Sequence, residues 1–164
     1  MIKKNLFASI FVSILITFNA FAAGSSDSGS SKTKTQYDMA VSHINAAKKF
    51  EENDKLKKAK KRYEKAQKLL IQSNEKFPNK ADTLNYLGFT TRKLGDYEKG
   101  EKYYLEGLAI DPNHKGINEY LGELYVATNR HNLAIERLEV LKNCSCREYE
   151  DLKAIIAGEK VSKY

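Results

Sequence analysis

The chain is short of the side chains that usually carry chemistry. Its 164 residues hold two cysteines and three histidines. Cys144 and Cys146 flank a single serine. That is too few thiols for a structural zinc set, and it is not the Cys-x-x-Cys of a redox strand–helix unit. His43, His114 and His131 fall in different segments, and none has a ligand spaced beside it, so a helical metal pair is excluded. There is no Gly-rich phosphate loop, nucleophile elbow or paired-carboxylate motif. Glu148, Glu150 and Asp151 are close together, but they open a helix, where acids complement the dipole. No catalytic residue, cofactor or metal is expected, and the chain reads as something other than an enzyme. Between residues 81 and 129 no run alternates with period two, which argues against strands.

Apolar runs are equally scarce. The one long run, residues 6–18, is broken only by Ser and Thr, and it follows Lys3 and Lys4. At 13 residues it is shorter than the roughly 18–20 a membrane span needs. Ala20-Phe21-Ala22 supplies small residues where a signal peptidase reads. Residues 1–22 are therefore expected to be a cleaved signal peptide. No cysteine follows the cleavage site, so a lipid anchor is not expected. Residues 23–36, rich in Ser and Gly, read as a flexible linker. Residues 37–164 are left as one folding domain.

What the sequence has in place of chemistry is repetition. Tyr86-Leu87-Gly88 recurs as Tyr120-Leu121-Gly122, 34 residues on. The same offset carries Gly95 to Asn129, Gly100 to Ala134 and Tyr104 to Leu138. Upstream it carries Ala66 to Gly100, Leu70 to Tyr104 and Pro78 to Pro112. A period in this range means stacked helical hairpins, which present a surface to partners. Within each copy, apolar residues recur at spacings of three and four: Leu84, Leu87, Thr91 and Leu94, then Tyr97, Gly100, Tyr104 and Leu108. The next copy uses Ile117, Leu121, Leu124 and Tyr125, then Leu133, Ala134, Leu138 and Leu141. Gly95 and Asn129 suit the left-handed turn between helices, and Asp96 suits a cap. The first copy departs from this plan. Asn53-Asp54 is its expected turn, and its second helix should be longer by about two turns. Gly88, Gly100 and Gly122 fall mid-helix, where Gly costs about 1 kcal/mol relative to Ala. Close helix pairing is the expected compensation, Gly88 against Gly100 and Gly122 against Ala134.

These residues resemble the tetratricopeptide repeat (TPR) family. The stretch 81–114 follows its pattern almost throughout, although Thr91 stands where an aromatic is usual. Residues 115–148 follow it less well, with Cys146 in place of the closing Pro, and the degenerate copy 37–80 follows it only in its second half. A capping helix, 149–162, would close the stack. The resemblance implies an all-α helical-hairpin solenoid of about three repeats that binds a protein in its concave groove. The first helix of each repeat lines that groove in the family, which singles out Asn85, Tyr86, Phe89, Arg92, Glu119, Tyr120 and Glu123. The alternative is that these aromatics pack against neighbouring helices. The Lys/Asn pattern by which some relatives grip a terminal carboxylate is absent. The Cys144–Asp151 tail resembles the close of small exported TPR proteins of Gram-negative bacteria, so a periplasmic location is expected.

Two features stay open. Cys144 and Cys146 are expected to form an internal disulfide; free thiols, an intermolecular bridge and a thiol- or metal-handling role are the alternatives. Charge is uneven, with 14 Lys/Arg against 7 Asp/Glu across residues 23–80 and 12 against 14 across 81–164. Eight of the basic residues lie between 55 and 68 with one acid, Glu64. An exported chain rarely meets nucleic acid, so an anionic envelope surface is the alternative partner for this helix, and plain solvation is the simplest account.

Overall fold

The computed structural model describes residues 34–162; the expected signal peptide and most of the expected linker lie outside them. Seven helices follow one another: α1 (Gln36–Glu51), α2 (Leu56–Lys76), α3 (Ala81–Lys93), α4 (Tyr97–Ile110), α5 (Lys115–Ala127), α6 (His131–Leu141) and α7 (Arg147–Ile156). There is no strand among the described residues. The helices pair as hairpins α1–α2, α3–α4 and α5–α6, and α7 packs on α5 and α6. This is an all-α helical-hairpin solenoid closed by a terminal helix.

The turns follow from backbone chemistry. Asp54, Gly95 and Asn129 take φ of 54°, 100° and 59°, the left-handed region that lets each hairpin reverse. Asp96 Oδ1 accepts the Lys99 amide at 3.0 Å and starts α4. The cap on α5 was not foreseen: His114 Nδ1 accepts the Ile117 amide at 3.1 Å. Thr35 and Asp38 form a capping box on α1, so the domain begins before Tyr37 and takes in the last two residues assigned to the linker. Helix α2 runs for 21 residues against 14 for α4, the two extra turns that the sequence pattern asks for.

Two expectations need correction. The terminal helix is Arg147–Ile156, not 149–162. Gly158, at φ 74°, ends it, and the chain turns back. The close approach at Gly122 is also different. A Cβ there would lie 2.6 Å from Leu152 Cδ2, so Gly122 makes room for α7 and not for Ala134. Gly88 does sit beside Gly100, whose Cβ would lie 3.1 Å from the Gly88 carbonyl, but a Cβ on Gly88 would itself meet the Tyr104 ring. Thr91, the departure from the aromatic pattern, is buried and its Oγ1 accepts from Gln67 Nε2 at 2.8 Å. That bond ties α2 to α3.

Candidate functional site

The first helices α1, α3 and α5 share one face of the stack. All seven groove candidates stand on α3 and α5, and the structure brings them to three depths. Tyr86 and Tyr120 are half-buried, with Tyr86 tilted against Tyr37 at 5.9 Å between ring centres. Glu119, Glu123 and Asn85 are buried, with edges on the surface clefts described below. Phe89 and Arg92 lie deepest, 1% and 2% exposed, and of the two only Phe89 reaches the wall of a cleft.

The buried layer explains how the upper one is held. Phe89 is packed between Tyr120, at 5.0 Å, and the edge of Tyr63, at 5.8 Å, while Lys48 Nζ lies 4.7 Å above its ring. Arg92 crosses from α3 to α5: Nη1 donates to the Tyr120 carbonyl at 2.6 Å and Nη2 to Glu123 Oε2 at 3.1 Å. A buried guanidinium needs such partners, and here it fixes the spacing of the two helices that carry the site. Phe89 and Arg92 therefore shape the face from below.

Helix α1 adds side chains that the sequence did not reveal as site residues. Lys48 Nζ donates to Tyr120 Oη at 3.3 Å, and burial lowers its pKa. Glu51 accepts from Lys93 Nζ at 2.6 Å and from Tyr63 Oη at 2.9 Å. They escaped because the first copy breaks the 34-residue register: the offset from Tyr86 lands on Glu52, past the end of α1, and that from Glu119, taken twice, reaches only its last residue, Glu51. From α7 come Arg147 and Asp151, and from the returning chain Lys160 and Val161. Ser162 Oγ donates to Glu123 Oε2 at 3.4 Å.

Together these residues line a cleft of about 220 Å³. A second, of about 470 Å³, opens between Asn85, Tyr86, Asp111, Asn113, His114 and Glu148. Glu119, Tyr120 and Arg147 belong to both. Glu119 is 6% exposed, and its carboxyl is pushed up to about 8, by burial first and then by Glu123, Asp151 and Glu148, with Arg147 opposing. The surface is thus polar, of mixed charge and edged with tyrosine, suited to holding another chain by contact.

Elsewhere the chemistry is structural. Cys144 and Cys146 are bonded to each other, with Cα atoms 5.1 Å apart, and Ser145 between them takes φ 47°. His43 lies 3.0 Å from Arg62 Nη1, and His114 Nε2 lies 3.1 Å from Asp82. Among the described residues no group of three His, Cys, Asp or Glu gathers in a form that could hold a metal ion, and no helix is long and apolar enough to cross a membrane.

A stack of helical hairpins with one polar, tyrosine-edged face defines the class of the molecule, a helical-repeat solenoid. The tetratricopeptide repeat family model matches residues 81–114, the hairpin of α3 and α4 with its flanking turns. No curated protein matches the chain.

Proposed function

We propose that this chain is a periplasmic adaptor, exported by a cleaved signal peptide, that holds a peptide or helix of a protein partner on the face formed by α1, α3 and α5. The observation that carries this is the pair of adjoining clefts edged by the half-buried rings of Tyr86 and Tyr120. Tyrosine at such a rim offers apolar area and a hydroxyl at low entropic cost. The repeat at residues 81–114 supports a protein as partner class, since such repeats generally mediate protein–protein interaction. The role needs no catalytic residue. The test is capture from periplasmic extract by the wild type and by the Tyr86→Ala/Tyr120→Ala variant. The variant should lose specific partners while its far-UV circular dichroism stays helical. Equal capture by both would sink the proposal. Export is tested by N-terminal sequencing, which should begin at Ala23; full-length chain in the cytosol would refute it.

A second reading is favoured by α2. The eight cations between residues 55 and 68 make no ion pair with a carboxylate within 4.0 Å among the described residues, although Glu64 lies on the same helix. Its apolar stripe, Ala59, Tyr63, Ala66 and Leu70, is buried, so the helix cannot insert and would act only by charge. Each Lys or Arg near an anionic membrane contributes about 1 kcal/mol. Sedimentation with phosphatidylglycerol vesicles at low salt, lost at high salt and in a Lys57→Glu/Lys61→Glu/Lys68→Glu variant, would support an anionic surface as a second contact. No binding at low salt would leave α2 a solvated face.

A further inference from the structure

We propose that the cleft receives a cationic group of the partner, an amine or a guanidinium, and that Glu119 is its acceptor. This rests on the groove reading above and names the chemistry the groove selects.

The argument is one of pairing. Around Glu119 stand Glu123 on its own helix, Arg147, Glu148 and Asp151 from α7, and Lys48 from α1. Glu123 is paired with Arg92 at 3.1 Å. Asp151 is paired with Lys160 at 2.7 Å and with Arg147 at 3.7 Å. On the facing wall Glu51 is paired with Lys93 at 2.6 Å. Glu119 accepts no hydrogen bond and makes no ion pair among the described residues, and at 6% exposed it is more deeply buried than the other unpaired acid beside it, the half-buried Glu148.

The two nearby cations are engaged elsewhere. Lys48 is held over the Phe89 ring and by Tyr120 Oη. Arg147 leans to Asp151, and its side chain is 82% exposed. A desolvated carboxylate among other acids is an unfilled acceptor, and its natural complement is a cation. Because Glu119 forms part of the wall of both clefts, a cation entering from either side can reach it.

The arrangement also sets a proton balance. Burial and the neighbouring acids hold the Glu119 carboxyl up to about 8, so at neutral pH the proton takes the place of the missing cation. When an ammonium or guanidinium docks, the carboxyl releases that proton to solvent and the O–H bond is replaced by a charge-assisted N–H···O contact. Lys and Arg of a partner stay charged throughout this range, so binding should tighten as pH rises from about 6 to about 8 and level off above it.

The test uses the full chain and a phage-displayed library of random dodecapeptides. Selected peptides should carry a Lys or Arg whose replacement by Gln weakens binding about tenfold or more in the wild type. The same replacement should cost nothing in Glu119→Gln. Calorimetry in two buffers of different ionisation enthalpy should detect proton release on binding to the wild type and none with Glu119→Gln, a readout that a merely structural glutamate would not move. An Arg147→Trp variant, altered at an exposed position on the cleft rim, reports whether a peptide sits in the cleft. Peptides blocked by Arg147→Trp but indifferent to loss of their cation or to Glu119→Gln would overturn the role of Glu119 and leave the groove standing. Peptides indifferent to Arg147→Trp as well would overturn the groove reading and this inference with it.

Discussion

A methyl group added to Gly88 would lie 2.5 Å from Tyr104 Cε1, and Tyr104 is fully buried. Gly88→Ala should therefore destabilise the fold by about 1–3 kcal/mol in a denaturant melt, although Ala is the better helix former by about 1 kcal/mol. A melt equal to wild type would show that the ring can move. Glu119 makes a prediction of opposite sign. Its folded pKa is raised from the ordinary carboxylate range to about 8, so between those values the folded chain binds more protons than the unfolded one. Its contribution is fully present at low pH and is lost as pH rises through about 8. Glu119→Gln should flatten that decline and gain about 1–3 kcal/mol at alkaline pH; an unchanged pH profile of stability would refute the desolvated carboxyl. At this scale the sequence is unevenly legible. Gly95, Asn129 and Asp96 were legible because turn and cap chemistry is local. Lys48, Glu51 and the burial of Arg92 were not, since these depend on which helix lies opposite.

Among the elements, α7 is the one whose role changed most between sequence and structure. Its place at the end of the stack could be anticipated, because the last hairpin would otherwise expose an apolar face. Its length and its partner could not: the 3.6-residue pattern does not announce that Gly158 turns the chain, nor that Leu152 fills the hollow above Gly122. Leu152 is fully buried. Leu152→Ala should cost about 2–5 kcal/mol by opening a cavity there. Amide exchange should rise first in α7, and uniform exchange across all helices would contradict that order. The Cys144–Cys146 bond lies where α6 hands over to α7. Its loop is so short that the stabilisation should stay below the roughly 3 kcal/mol of a 15-residue loop. Free-thiol titration of the native, non-reduced protein should find no reactive thiol, and Cys144→Ser/Cys146→Ser should keep its helix content. Two titratable thiols, or a collapse of helicity, would count against a structural staple.

The whole molecule was the most legible scale, because a 34-residue period is a global property that tolerates local departures. Thr91 in place of an aromatic and Cys146 in place of proline did not obscure the hairpins. The site was less legible than the fold, since a groove is made of several helices at once and its depth is invisible along any one of them. One contact described above bears on how the molecule comes apart. In a linear array, each hairpin can melt separately when the junctions between neighbours are weak. Arg92 makes one junction strong by binding both a backbone carbonyl and a carboxylate of the next hairpin. Removing it as Arg92→Leu would take the guanidinium away from Glu123 and should cost about 3–5 kcal/mol. It should also split a single calorimetric transition into two. The last two hairpins in the wild type would then owe a large part of their cooperativity to one side chain, and a ligand seated across them would be bound by a body that opens all at once or not at all.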